Sequence, residues 1–145
     1  MDSRIVALIP VRTGPANGCV VLFESGRRLQ LFCSVEKYMN TIAHFMGNDN
    51  KACRRLFKGR RGTGVRLNDG SVFVQMKLAK EPPSFGYVLV SAIRGLLPDD
   101  QERCVIYFSH GLTLQTYWKV QTASSHLKMV EKVLTIPSLE EVRVY

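Results

Sequence analysis

Three stretches of the chain alternate apolar and polar side chains, which is the pattern of β-strands with one buried face. They are residues 28–33, 72–78 and 112–121. In each stretch one face is mainly apolar, and the other carries an aromatic ring, a glutamine and a cation but no acid. These second faces hold Arg28, Gln30 and Phe32; Phe73, Gln75 and Lys77; and Thr113, Gln115, Tyr117, Lys119 and Gln121.

Turn residues between strand-like runs predict three β-hairpins. The first turn is at Gly26, between runs at residues 18–25 and 27–34. The second is at Asn68-Asp69-Gly70, within residues 65–79. The third is at His110-Gly111, between runs at residues 104–109 and 112–121. Further strands are predicted at residues 4–11 and 139–145. Residues 87–97, YVLVSAIRGLL, fit either a strand or a helix, and the pattern leaves both open.

Apolar residues at helical spacing follow two of these hairpins. Ser34 is the candidate N-cap of a helix that ends at Gly47. Ser124 or Ser125 is the candidate N-cap of a second helix, which Pro137 stops. Each helix has an apolar stripe, so both are expected to pack on the sheet.

The order strand, turn, strand, serine, helix therefore occurs at residues 18–46 and again at 104–135, which predicts an internal pseudo-repeat. The expected fold is a single α+β domain over residues 1–145, with a mainly antiparallel sheet and helices on one face. This order of elements resembles the general layout of the Pur-alpha and Whirly single-strand-binding proteins. The resemblance implies a nucleic-acid partner.

Length and composition limit the class of protein. The chain has 145 residues, of which 46% are hydrophobic and 22% charged, so it can bury a core. No apolar run approaches the roughly 20 residues of a membrane span, and no signal peptide is expected at the start. We therefore expect a protein of the nucleus or cytoplasm without a membrane partner. The four cysteines lack zinc-ligand spacing and are expected to be buried free thiols.

One segment accounts for most of the excess charge. The formal net charge is +8, from 20 basic and 12 acidic residues. Residues 51–66, KACRRLFKGRRGTGVR, contain seven of the basic residues and no acid, so the rest of the chain is nearly neutral. We call residues 51–66 the basic segment. Such segregation of charge indicates a site rather than a means of staying soluble.

The basic segment is predicted to bind phosphates. Its cations are Lys51, Arg54, Arg55, Lys58, Arg60, Arg61 and Arg66. The first four would form one stripe of a short helix over residues 51–58, and the next two lie in a loop among three glycines. Arginine binds phosphate with two hydrogen bonds. With seven phosphate contacts on duplex DNA, the logarithm of the binding constant would fall with the logarithm of the salt concentration with a slope of about 6.

The polar faces of the three strands are the second candidate site. Bases could stack on the rings of Phe32, Phe73 and Tyr117, and the cations Arg28, Lys77 and Lys119 could hold the backbone. Glutamine amides can bond to base edges. The alternative is that a helix covers this side of the sheet, which would bury Phe32 and Phe73.

The leading hypothesis is thus a non-enzymatic protein that binds RNA or DNA, single strands being favoured. The alternative is an oligomeric structural or adaptor protein, a viral one among the options, whose basic segment binds an acidic partner. A third hypothesis is a magnesium-dependent nuclease. Asp69, Gln75 and Lys77 loosely resemble the Asp…(Glu/Gln)-x-Lys pattern of restriction-type nucleases, but a hairpin turn explains Asp69. We expect no catalytic residue, cofactor or metal ligand.

Overall fold

The computed structural model describes residues 4–13, 16–45, 64–67 and 69–134, in which two antiparallel sheets combine with two α-helices. This confirms the predicted α+β class. The strands are β1 (Ile5–Thr13), β2 (Ala16–Phe23), β3 (Arg28–Leu31), β4 (Gly64–Arg66), β5 (Val72–Lys77), β6 (Phe85–Leu89), β7 (Gly95–Pro98), β8 (Arg103–Tyr107) and β9 (Thr113–Lys119). The helices are α1 (Val35–Phe45) and α2 (Val120–Leu134).

The larger sheet has six strands in the order β3-β2-β1-β6-β5-β4. Its centre is β1, which pairs with β2 on one side and with β6 on the other. Both faces of β1 are covered, because the consecutive residues Val6, Ala7 and Leu8 are fully buried. A strand buried on both faces reads as a continuous apolar run rather than an alternating one, as IVALIPV does.

The smaller sheet has three strands in the order β7-β8-β9. Residues 87–97, which fitted either a strand or a helix, connect the two sheets. They contain the end of β6, one turn of 3-10 helix at Val90–Ala92 and the start of β7. Neither single interpretation was right, because the apolar run serves two different strands with a turn between them.

Helix α1 begins where the sequence predicts. The backbone N–H of Lys37 donates to the hydroxyl of Ser34 at 3.1 Å, which confirms Ser34 as the N-cap. Met39 and Ala43 on the inner face of α1 are buried. The hydroxyl of Tyr87, in β6, donates to the Glu36 carboxylate at 2.6 Å and so links the helix to the centre of the larger sheet.

Helix α2 begins earlier than expected. It starts at Val120, directly after β9, so Ser124 and Ser125 lie inside the helix and the predicted N-cap is wrong. Residues 120–134 contain no glycine or proline, and Ala123 and Val130 are buried at helical spacing. The order strand–strand–helix thus occurs twice, but only α1 follows a capping serine.

Other expectations concern parts of the chain outside the described residues. They are the short helix at 51–58, most of the glycine loop at 59–64 and the strand at 139–145. The hairpin within 65–79 is confirmed in its described part, where β4 pairs with β5. The carboxylate of Asp69 accepts the backbone N–H of Ser71 at 2.8 Å in its turn, and Gly70 has φ of +90°.

Three described cysteines are free thiols, as the composition predicts: Cys19 and Cys104 are buried, and Cys33 is partly buried. Burial raises the pKa of Cys19 to about 12 and that of Cys104 to about 11. Both are thus protonated and unreactive in the folded protein. Within the described ranges, no group of three or more His, Cys, Asp or Glu side chains could hold a metal ion.

These raised pKa values make stability depend on alkaline pH. Unfolded thiols ionise near their ordinary value of 9.0, whereas the folded ones hold their protons to about 11 or 12. The native state then binds more protons, so the free energy of unfolding should fall as pH rises above 9.0. Urea midpoints at neutral pH and near pH 10 would measure the fall. It should be smaller in Cys19→Ala/Cys104→Ala, and an equal fall in both proteins would contradict the assignment.

Candidate nucleic-acid interface

Strand alternation gives the smaller sheet two different sides. Cys104, Ile106, Leu114 and Thr116 are buried on the inner side. The outward residues on the three strands are partly or fully exposed, and we call them the outer face of the smaller sheet. They are Leu97, Arg103, Val105, Tyr107, Thr113, Gln115, Tyr117 and Lys119. This is the exposed side that the alternation of residues 112–121 predicts.

One buried hydrogen bond and two ring contacts hold this sheet in place. The hydroxyl of Thr116 donates to the backbone carbonyl of Cys104 at 2.9 Å, which ties β9 to β8. The ring of Trp118 lies 4.4 Å from that of His126 in α2 and 5.9 Å from that of Phe85 in β6, measured between centroids. Because Trp118 is packed between α2 and the larger sheet, the smaller sheet directs its other side outward.

Two tyrosines and two cations lie on the outer face. Tyr107 has 38% of its surface exposed. The guanidinium carbon of Arg103 lies 5.1 Å from the ring centroid of Tyr117, a cation–π distance. Arg103 also pairs across the strands with Lys119. Tyr107 is opposite Thr113, four residues before Tyr117, and a register shift between Arg103 and Val105 brings the two tyrosines closer than the ~13 Å that four residues of regular strand would span.

An acid lies at the rim of this face. The Asp99 carboxylate accepts backbone N–H groups from Gln101 at 2.8 Å and from Arg103 at 2.9 Å, and it also accepts the side-chain amide of Gln115. The acid-free strand pattern did not indicate this, because Asp99 belongs to the loop after β7. Its charge partly offsets that of Arg103 and Lys119, so the face is mixed rather than strongly cationic.

Two of the predicted site residues lie on or beside β3 at the edge of the larger sheet. Arg28 is exposed within β3, and Phe32 follows the strand in a bend with 84% of its surface exposed. The alternative in which a helix buries Phe32 is therefore wrong. Both residues belong to a different sheet from Tyr117 and Lys119, so the predicted second faces do not form one surface of a single sheet.

The predicted stacking role of Phe73 is wrong. Phe73 was a candidate for stacking beside Gln75 and Lys77, but it is only 5% exposed and cannot stack on a base, so the alternative in which this residue is buried is the correct one. Its cross-strand neighbours Val65 and Leu89 are apolar and buried, so Phe73 belongs to the core. Lys77, at the end of β5, is half-buried.

The basic segment is described only at its end. Gly64, Val65 and Arg66 form β4, and Arg66 is half-buried there. The other predicted cations lie outside the described residues: Lys51, Arg54, Arg55, Lys58, Arg60 and Arg61. They remain predictions from the sequence.

The chain matches no protein-family model, no curated protein and no solved structure. The resemblance to the Pur-alpha and Whirly layout therefore remains a resemblance in the order of elements. Neither of the helices within the described ranges is long and apolar enough to cross a bilayer. Any assignment of function has to be argued from the geometry and charge of this chain.

Tyr107 and Arg103 are candidate residues that the sequence patterns did not single out. Both belong to β8, whose residues were assigned to a hairpin but not divided into faces. A two-residue turn at His110-Gly111 would have placed Tyr107 opposite Leu114, whereas the observed 3-10 turn at Ser109–Gly111 shifts the register by one residue and places Tyr107 opposite Thr113, on the outward side. Arg103 lies one residue before the predicted strand and could have been found only with the strand's true start.

Proposed function

We propose that this protein is a non-enzymatic nucleic-acid-binding protein of the nucleus or cytoplasm that prefers single strands of RNA or DNA. The observation that carries the proposal is the outer face of the smaller sheet, where Tyr107 and Tyr117 are accessible beside Arg103 and Lys119. Exposed aromatic rings next to cations are the combination that single-stranded nucleic acid requires.

Each group on this face has a role in the proposed complex. Unpaired bases stack on the two tyrosine rings, and the side-chain oxygen of the intervening Gln115, whose amide N–H donates to Asp99, can accept a hydrogen bond from a base edge. Arg103 holds the Tyr117 ring from one side and, with Lys119, faces the phosphates. Bases of a duplex are stacked on one another and cannot reach a flat sheet, which is why single strands are favoured.

The basic segment supports the same proposal through charge. Its seven cations supply phosphate contacts without sequence preference, while the outer face selects for unpaired bases. The two features predict separable effects on binding. Loss of cations should reduce the salt dependence, whereas loss of tyrosines should leave the salt dependence unchanged.

The test is fluorescence anisotropy with a labelled single strand and a duplex of the same sequence. In Tyr107→Ala/Tyr117→Ala each lost stack should cost about 1–3 kcal/mol, so single-strand affinity should fall at least about tenfold. Tyr107→Phe/Tyr117→Phe should bind like the wild type, because phenylalanine keeps the ring. Phe45→Ala is the matched control, since Phe45 is an exposed ring on α1.

The proposal fails if the wild-type protein binds neither probe at low salt. It also fails as a stacking mechanism if the double alanine variant weakens single-strand and duplex binding equally. A protein purified at low salt with a high ratio of absorbance at 260 to 280 nm would support it directly.

The same assay separates the other two hypotheses. If polyglutamate competes as well as a single strand of equal charge, an acidic protein partner becomes the better interpretation of the basic segment. If the strand is cleaved with added magnesium and Lys77→Ala abolishes the cleavage, the protein is a nuclease.

A further inference from the structure

The outer edge of β3 has no strand beside it in the described part of the chain. β3 is the last strand of the larger sheet and pairs only with β2. The pairing of β2 with β3 is continuous, from Leu22 opposite Arg28 to Cys19 opposite Leu31, and it contains no bulge. An unpaired, straight edge presents backbone N–H and C=O groups that can bind another strand.

This edge also lacks most of the features that prevent such pairing. It contains no proline, and its only charge is Arg28. Leu29 has 44% and Phe32 has 84% of its surface exposed, so apolar side chains lie beside the unpaired backbone. Natural edge strands are usually protected by charges, prolines or bulges, and β3 has only the one cation.

We propose that β3 binds β3 of a second copy of this chain in an antiparallel, two-fold symmetric pair. The two larger sheets would then form one continuous twelve-stranded sheet. The sequence Arg-Leu-Gln-Leu-Phe at 28–32 favours this occupant because it complements itself when reversed, with leucine against leucine and a cation against an aromatic ring. An antiparallel pair centred on Gln30 places Leu29 beside Leu31 of the second copy, and Arg28 beside Phe32 of the second copy.

The faces of the sheet are consistent with this register. Leu29 and Leu31 point to one side of the sheet, and Arg28 and Gln30 point to the other. Phe32 lies in the bend directly after β3, so β3 would have to extend by one residue in the pair for this ring to lie against Arg28 of the second copy. The leucines of the two copies would form an apolar cluster on one side. On the other side each Arg28 would lie against a phenylalanine ring, as Arg27 already lies 4.6 Å from the centroid of the Phe23 ring.

Charge selects among the registers. A pair centred on residue 28 would place two Arg28 side chains directly opposite each other, which is unfavourable. In the register centred on Gln30 the two Arg28 residues are about 13 Å apart along the strands, more than one Debye length at physiological salt. Arg28 therefore disfavours the register centred on residue 28 and is tolerated in the one centred on Gln30.

The first test is molar mass by light scattering over a range of protein concentrations, after nuclease treatment. The wild type should reach twice the monomer mass, and Leu29→Lys/Phe32→Ser should remain monomeric. Phe45→Ser is the matched control because Phe45 is 85% exposed, and it should dimerise normally. Phe32→Ser alone should weaken the dimer and changes only an exposed side chain, so it should fold. A wild type that is monomeric throughout would overturn the proposal, as would a dimeric double variant.

The second test reports the register. In Gln30→Cys the two new thiols would face each other across the two-fold axis, so mild oxidation should link two copies by a disulfide. Arg28→Cys should not link with itself, because its counterpart lies about 13 Å away along the strands. If Arg28→Cys links as efficiently as Gln30→Cys, the proposed register is wrong. Because neither test uses nucleic acid, the results of both are independent of the proposed function.

Discussion

Replacing Arg54, Arg55, Arg60 and Arg61 by alanine should weaken single-strand binding by about 10³-fold near ~0.1 M monovalent salt. The four residues supply most of the positive charge of the basic segment, which contains no acid. Each cation that binds a phosphate releases a counterion from the strand, and this release is the main source of the affinity. The loss of affinity should therefore be large, even though phosphate contacts do not depend on the base sequence of the strand.

The salt dependence gives a sharper test than the affinity alone. For a single strand, each lost phosphate contact lowers the log–log salt slope by about 0.7, so the variant should lose about 3 units of slope. Anisotropy titrations at several salt concentrations measure both quantities. Binding to duplex DNA should weaken as well, because the phosphate contacts do not distinguish the two forms.

A charge-matched control separates the basic segment from net charge. The control replaces four exposed cations elsewhere by alanine, namely Arg12, Lys37, Lys128 and Lys132. Both variants lose four positive charges, but the control should keep most of the affinity and slope. If the two variants weaken binding equally, only the overall charge matters, and the basic segment is not a site.

Gly86→Ala should destabilise the fold by about 3 kcal/mol or more. A Cβ atom at Gly86 would run into the backbone carbonyl oxygen of Leu8 and would lie 2.8 Å from Cδ1 of Leu78. A backbone atom in the centre of the sheet cannot move aside, since β1 and β6 pair at this point. The expected consequence is a separation of these two strands.

Urea unfolding, followed by tryptophan fluorescence, would measure this loss as a midpoint lower by at least about 1 M. Gly95→Ala is the matched control, because a Cβ atom at Gly95 would meet no atom within 4 Å. That variant should change the midpoint little. A Gly86→Ala protein as stable as Gly95→Ala would show that β1 and β6 do not approach as closely as described.

Local signals predicted most of the strands and the start of one helix. The turn glycines Gly26 and Gly70 have positive φ and lie in the expected hairpins, and Ser34 caps α1. These features depend on a few neighbouring residues, so they can be predicted from the sequence. The start of α2 and the division of residues 87–97 depend instead on which sheet each residue packs in. That information is tertiary, and no local pattern contains it.

The same difference between local and tertiary information explains which residues of the candidate site were predicted correctly. Alternation correctly separated Tyr117 and Lys119 from the buried side of β9, because the period of a strand is local. It wrongly placed Phe73 on an exposed face. The period of a strand tells which residues share a face, but not whether other elements cover that face. Arg28 and Phe32 are exposed as expected, yet they lie at the edge of the other sheet.

The pairing of β1 with β6 has a consequence for synthesis. Ala7 pairs with Val88, so the ribosome must extend the chain beyond β6 before the centre of the larger sheet can close. Until then, the nascent chain presents IVALIPV at residues 5–11, an apolar strand that can pair only with β2 of its two neighbours in the sheet. Long-range strand pairing is slow and leaves such edges open to aggregation. Chaperone binding to the nascent chain should therefore be concentrated on residues 5–11.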